Sequence, residues 1–340
     1  MPKPNVGIVS YGLYIPKHWM TAQQISAATN GYWAEDAVRS KLGINQKPIP
    51  GEGDGTQEMG VKAALDALSN GAVDPEEIDV ILCIGEEWKE YPLTTSAMYI
   101  QGQIGAVNAW GIDVQNRCCT TVAAIKMAKD MLLADDEINT IMIVGGYRNG
   151  DFVDYTDKNM SMMYNLSAGA GALILRKGHS ENCVLGSHLM ADGSMSRDAG
   201  VEIGGICQPF TSENVAEGYK SLRLMNPENM KNRLNEVSLP NWYNCIDQAL
   251  RKSNLARKDI GYLAILHFKK SQHDAMVKDL GLSPEQTVYL ADYGHMGQID
   301  QILSLKLGVE SGRIKNGTNV MMIAAGIGYV WAASVIRWGR

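Results

Sequence analysis

The chain has 340 residues, a formal net charge of −6 from 31 Lys and Arg against 37 Asp and Glu, and a hydrophobic fraction of 45%. That length allows about two units of ordinary size with a large core, and that composition excludes global disorder. The acidic balance, with no basic run, argues against nucleic acid or an anionic membrane surface as a partner.

Short apolar runs alternate with helical patterns along the chain. Val6-Gly7-Ile8-Val9 reads as a first strand and Gly60 to Leu68 as a helix. Val80 to Ile84 is a strand of the continuous apolar kind found inside a covered sheet, and Ile112-Asp113-Val114 is another strand. Residues 119 to 133 carry a helical stripe. Two more strands follow, Ile141 to Val144, ending in Gly145-Gly146, and Ala172 to Leu175. Residues 177 to 240 fit this alternation poorly, with Gly-rich and polar stretches and a loop near Pro209, and read as a connecting or substrate-covering segment. The alternation resumes with a helix from Cys245 to Lys252, a strand from Tyr262 to Leu266 and the strand Val288-Tyr289-Leu290. A helix from about Ile299 and the strands Met321 to Ala324 and Ala333 to Ile336 complete it. Ile141 to Gly146 lies beside Met321 to Gly326 at an offset of 180 residues, and Cys118 beside His295 at 177, which points to one duplicated α/β unit.

No apolar stretch approaches the roughly 20 residues needed to span a bilayer. The opening Met-Pro-Lys-Pro-Asn lacks the apolar core of a secretory signal, so a cytoplasmic protein is expected. The six cysteines contain no Cys-x-x-Cys pair and the histidine spacing matches no zinc motif, so free thiols and no metal are expected.

Cys118 is the first candidate for chemistry. It follows a strand and stands where a helix begins, where helix N–H groups and the macrodipole favour a thiolate. The alternative is a small buried apolar residue, and Cys119 is a rival turned about 100° away on the helix. His267 ends the strand Tyr262–Leu266 and so faces the crevice at the carboxyl ends of the strands. His295 lies in the Gly-flanked turn Tyr293-Gly294-His295-Met296-Gly297. Glu87, beside Trp88 at the end of Val80–Ile84, is either an acid/base with a raised pKa or a solvated loop carboxylate. The turn Gly326-Ile327-Gly328 lets backbone approach a ligand and supplies a candidate oxyanion N–H.

Taken together, these segments resemble the thiolase superfamily, most closely the 3-hydroxy-3-methylglutaryl-CoA synthases of the archaeal type and ketoacyl-acyl-carrier-protein synthase III. The resemblance rests on Val6 to Pro16, on Lys41-Leu42-Gly43-Ile44 followed by Lys47, and on Ile84-Gly85-Glu86-Glu87. It also rests on Asp113 to Cys118, on Leu266-His267 before Asp279-Leu280-Gly281-Leu282, and on Ala325 to Trp331. It implies an α/β thiolase-like fold: two duplicated halves with mixed five-stranded sheets in an αβαβα layering, divided as 1–176, with the nucleophile, and 177–340, with the histidines. It implies an acyltransferase that forms a C–C bond by Claisen-type condensation of acyl-CoA or acyl-carrier-protein thioesters through a Cys118 acyl-enzyme. His267, His295 and Glu87 would be its further catalytic residues and the N–H groups of Cys118 and Gly328 its oxyanion hole. Lys41 and Lys47 would contact coenzyme A, which serves as substrate carrier, and no cofactor is implied. Thiolase-type acyl transfer or thiolysis, and a non-catalytic subunit alongside a thiolase and a zinc-ribbon/OB-fold partner, are the alternatives. A homodimer is implied in either case. Three departures stand out: His295 where those synthases have Asn, Phe268-Lys269-Lys270 where the family has polar residues, and Cys119-Thr120-Thr121 after the nucleophile.

Overall fold

The computed structural model describes residues 4–86, 88–218 and 220–340. Its main sheet takes five strands from the first half: β1 (Val6–Tyr14), β2 (Val80–Cys83), β3 (Trp110–Asp113), β4 (Thr140–Tyr147) and β5 (Gly169–Lys177). It takes four from the second half: β6 (Cys183–Ala191), β7 (Tyr262–Ile265), β8 (Asn319–Gly326) and β9 (Val330–Arg337). The main helices are α1 (Thr56–Gly71), α2 (Ser96–Ile104), α3 (Thr120–Ala134), α4 (Pro227–Lys252), α5 (Lys270–Asp279) and α6 (Asp300–Glu310).

The duplication is visible in strand order. The first half runs β1-β5-β4-β2-β3, with β1, β5 and β4 antiparallel in turn and β2 parallel to both β4 and β3. The second half repeats the first four positions as β6-β9-β8-β7, with the same senses. A single pair, Gly7 opposite Cys183, joins the two into one nine-stranded sheet among the described residues. Every residue of β2 and of β4 is buried, as a strand covered on both faces must be.

Helix α3 touches β4 and β5 of the first half and β6, β8 and β9 of the second, and α6 likewise meets strands of both. Burial on more than one stripe follows: Thr120, Thr121, Val122, Ala124, Ile125, Ala128 and Leu132 of α3 are all covered. Helices α1 and α2 pack outside the first half and α4 outside the second, which completes the αβαβα layers.

Two expectations are corrected here. Residues 177–240 are more than a connection: they contain β6 and the first half of α4. Asn226 caps α4 and Pro227 occupies its first turn, and the helix continues through the exposed Pro240. The run Val288-Tyr289-Leu290 forms no strand. Thr287 alone bridges to Leu263, because Tyr289 turns to pack its ring 5.0 Å from that of His267 and donates its hydroxyl to Phe268 O.

Candidate active site

Strand β3 ends at Asp113, and a 3-10 turn over Arg117–Cys119 leads into α3. Arg117 has φ of +51°, a left-handed conformation that a side chain tolerates only when its surroundings impose it. Thr120 braces the turn by donating to Arg117 O and accepting from Asn116 N–H at 2.9 Å. Gly326, at the end of β8, packs closely here: a Cβ would stand a tight 3.1 Å from Cys118 N and 3.0 Å from Arg117 Cβ. These contacts fix the half-buried Cys118 at the floor of a cavity of about 1290 Å³. Cys119 faces the other way: it is fully buried near Val330 O, and burial pushes its thiol well up. Thr121 donates to Gln298 O and ties α3 to the turn that carries His295.

Cys118 Sγ lies 3.1 Å from His295 Nε2, and His295 Nδ1 lies 2.6 Å from Asp300 Oδ2. Asp300, the first residue of α6, is fully buried; its Oδ1 accepts from Met296 N–H and its Oδ2 also accepts from His267 N–H, both at 2.7 Å. Burial opposes charge on the His295 ring, yet the Asp300 carboxylate and the Cys118 sulfur outweigh it and hold its pKa well above the ordinary value. Cys118, His295 and Asp300 therefore form a nucleophile–base–carboxylate line. Asp300 has no counterpart among the sequence candidates. Its one signal was an acidic residue five positions after His295, inside an apolar helix.

His267 lines the same cavity as Cys118 and His295. Its ring is buried and both nitrogens are engaged, Nε2 with Gly43 O at 3.0 Å and Nδ1 with Asn165 Nδ2 at 2.9 Å. Burial pulls its pKa down to about 4, so the ring is neutral near pH 7. Gly43 must be glycine: its φ is +76° and a Cβ would meet Tyr289 Oη at 1.9 Å.

Lys47 cannot contact a coenzyme phosphate. It is buried, and its three ammonium hydrogens match three acceptors: Tyr155 Oη, Tyr164 O and Leu166 O. Desolvation lowers its pKa to about 7. Its work is to hold the chain around Asn165. Lys41 is exposed at the cavity margin with Lys231 and Lys269. Gly328 lines a neighbouring hollow with Gln115 and Asn116, and Arg117, Ile327 and Tyr329 border both that hollow and the Cys118 cavity. Glu87 lies outside the described residues. Its neighbour Glu86 lines the cavity, is buried, and pairs with Arg117 at 2.9 Å.

Part of the cavity wall comes from the segment read as connecting or substrate-covering: Ile203, Leu222, Leu224, Met230 and Leu234 line the cavity, together with Trp242 further along α4. Phe268, one of the departures from the family pattern, stacks on Trp242 with ring centroids 6.2 Å apart. All six cysteines are free, and among the described residues no group of three His, Cys, Asp or Glu is arranged to hold a metal.

Comparison with known proteins gives one direction. The family descriptions "3-Oxoacyl-[acyl-carrier-protein (ACP)] synthase III" and "3-Oxoacyl-[acyl-carrier-protein (ACP)] synthase III C terminal" match residues 112–193 and 250–338. The beta-ketoacyl-[acyl-carrier-protein] synthase III of Agrobacterium fabrum is 28% identical over 96% of this chain and 98% of its own. That of Clostridium tetani is 27% identical over 99% and 100%. The solved beta-ketoacyl-[acyl-carrier-protein] synthase III from Thermus thermophilus has the same fold, with a TM-score of 0.84 at 22% identity, covering 98% of this chain and 99% of that one.

Proposed function

The chain belongs to the thiolase-like superfamily, where it resembles beta-ketoacyl-[acyl-carrier-protein] synthase III and is a condensing acyltransferase, and from that premise we propose that Cys118, His295 and Asp300 carry its reaction. The observation that bears the reading is the 3.1 Å approach of Cys118 Sγ to a carboxylate-backed His295 at the floor of the cavity. The sulfur attacks an acyl thioester, the acyl group moves to Cys118, and the carrier thiol leaves with the proton from His295. The acyl oxyanion is held by Cys118 N–H and by the backbone of the turn after Gly326. A second thioester then supplies the carbon nucleophile of a Claisen-type condensation, and the new C–C bond frees Cys118. The intact line of three residues speaks against a non-catalytic subunit.

Coenzyme A or acyl carrier protein brings the thioesters, with Lys41, Lys231 and Lys269 at the cavity margin as the charges that meet its phosphate. No helix among the described residues is long and apolar enough to cross a membrane, and the reaction belongs in the cytoplasm. The chain divides at 176/177 into a unit that bears the nucleophile and a unit that bears the histidines, a division supported by the repeated strand order. It works as a homodimer, supported by the exposed apolar edge at β3, where Trp110 and Ile112 project from the strand.

The test is intact-protein mass after mixing with acetyl-, butyryl- or octanoyl-CoA. We expect an adduct of one acyl group, absent in Cys118→Ala and present in Cys119→Ala. An adduct that survives Cys118→Ala, or none from any of the three, refutes the assignment.

A further inference from the structure

We infer that Tyr147 is a further catalytic residue of this site: its hydroxyl donates a hydrogen bond to the carbonyl oxygen of the thioester that reacts with acyl-Cys118. The inference rests on the acyl-Cys118 reading. Tyr147 is the last residue of β4, is buried, and lines the same cavity as Cys118 and His295. Its ring is wedged against the turn that carries His295. Gly297, in that turn, has φ of +56°, and a Cβ there would stand 2.4 Å from the Tyr147 ring. The ring centroids of Tyr147 and His295 are 6.3 Å apart. Confinement of the ring fixes the hydroxyl at its tip.

A tyrosine hydroxyl has one hydrogen to give and lone pairs to receive another. Here a lone pair is met by the Asn149 side chain, whose hydrogen bond favours the phenolate and so comes from its amide N–H. Asn149 Oδ1 is then turned away, and it is buried with no hydrogen-bond partner. The hydroxyl's own hydrogen meets no acceptor among the described residues and faces the cavity that Tyr147 lines. Nor is that hydrogen lost as the pH rises. Burial, with the negative charges of Cys118, Glu86 and Asp300, pushes the Tyr147 pKa well up. Tyr147 is a donor across the whole working range.

The two imidazoles leave this task open. His267 Nε2 faces Gly43 O, which only accepts, so its hydrogen is spent there, and its Nδ1 lone pair is filled by the Asn165 amide. His295 Nδ1 keeps its hydrogen on Asp300, and its Nε2 serves the sulfur. A thioester whose α carbon becomes a nucleophile gathers negative charge on its carbonyl oxygen. That charge is held best by a donor already in place, away from water. The Tyr147 hydroxyl is such a donor. Its hydrogen stays on Oη throughout: the hydrogen bond strengthens as the charge develops and relaxes when the electron pair moves into the new C–C bond.

The experiment loads the enzyme with whichever of acetyl-, butyryl- or octanoyl-CoA gives the Cys118 adduct, then times the conversion of that adduct to 3-oxoacyl product by acetyl-CoA or malonyl-CoA. Tyr147→Phe keeps the ring and removes the donor. In it the conversion should slow by at least about a hundredfold, while adduct formation slows far less. Asn149→Asp is the second variant, should Tyr147→Phe fail to fold: its carboxylate only accepts, claims the hydroxyl's hydrogen, and should give the same split. Conversion in Tyr147→Phe within about threefold of the parent, or an equal fall in both steps, overturns the inference and leaves the acyl-enzyme standing. A parent adduct that neither thioester converts does the same. Failure of the parent to form any adduct overturns both.

Discussion

Asp300 Oδ2 takes two hydrogens at once, from the backbone of His267 and from the ring of His295. A carboxylate can do this because both its oxygens only accept; an amide of the same shape must turn one NH2 group toward a donor. In Asp300→Asn the ring loses the partner that fixes its tautomer, and the hydrogen can move to Nε2 and face the sulfur. Acylation of Cys118 should slow by about a hundredfold to ten-thousandfold with the fold retained, measured as adduct formation by rapid-quench mass analysis; a change under threefold would refute the role. His267 makes a different prediction. Its pKa is near 4 folded, against about 6.5 unfolded, because burial disfavours the charged ring. Between those values the unfolded chain binds the extra proton, so stability is full above pH 6.5 and is lost as the pH falls toward 4. The loss from this group is on the order of 3 kcal/mol. Urea midpoints at pH 7 and pH 4.5 should draw closer together in His267→Gln than in the parent, and an equal gap would show that the ring is not the cause.

At the scale of elements, the sequence was legible wherever one physical rule dominated. Strands β2 and β4 read correctly because both faces are covered and every position is apolar. Strand β6 did not, because α4 lies directly on it: a Cβ at Gly186 would stand 2.4 Å from Ala249 O, and the buried Ser187 bonds Ser334 across to β9. Gly and Ser are what that close approach demands, and in a bare sequence they look like a loop. The end of helix α4, Cys245 to Lys252, read correctly, while its polar first half was hidden by Pro240. Val288 to Leu290 failed in the opposite sense, since apolar residues were taken for sheet when Tyr289 serves to pack His267. The site was half legible. Cys118 and His295 stand at turns that strand ends and glycines announce. Asp300, Asn165 and Gly43 act through contacts with residues far away in the chain, and no local pattern reports those.

Seen whole, the nine-stranded sheet has unequal ends. Strand β3 is an open edge whose Trp110 and Ile112, 51% and 44% exposed, project from the same face. Natural sheets seldom leave such an edge uncovered. A second copy meeting it about a two-fold axis would extend the sheet and hide these residues. The protein should sediment as a dimer, and Trp110→Lys with Ile112→Lys should sediment as a monomer of native circular dichroism. A parent that sediments as a monomer would rule this interface out.

The cavity wall and the reacting line come from separate stretches of chain. Ile203 to Leu234 bound the space, while Cys118, His295 and Asp300 sit on strand-end turns and a helix start well removed from that stretch in sequence. Acyl-chain preference can therefore drift over evolutionary time through ordinary exchange of one aliphatic residue for another, with no atom of the proton path disturbed. A lineage could try new metabolic feedstocks without ever passing through an inactive ancestor.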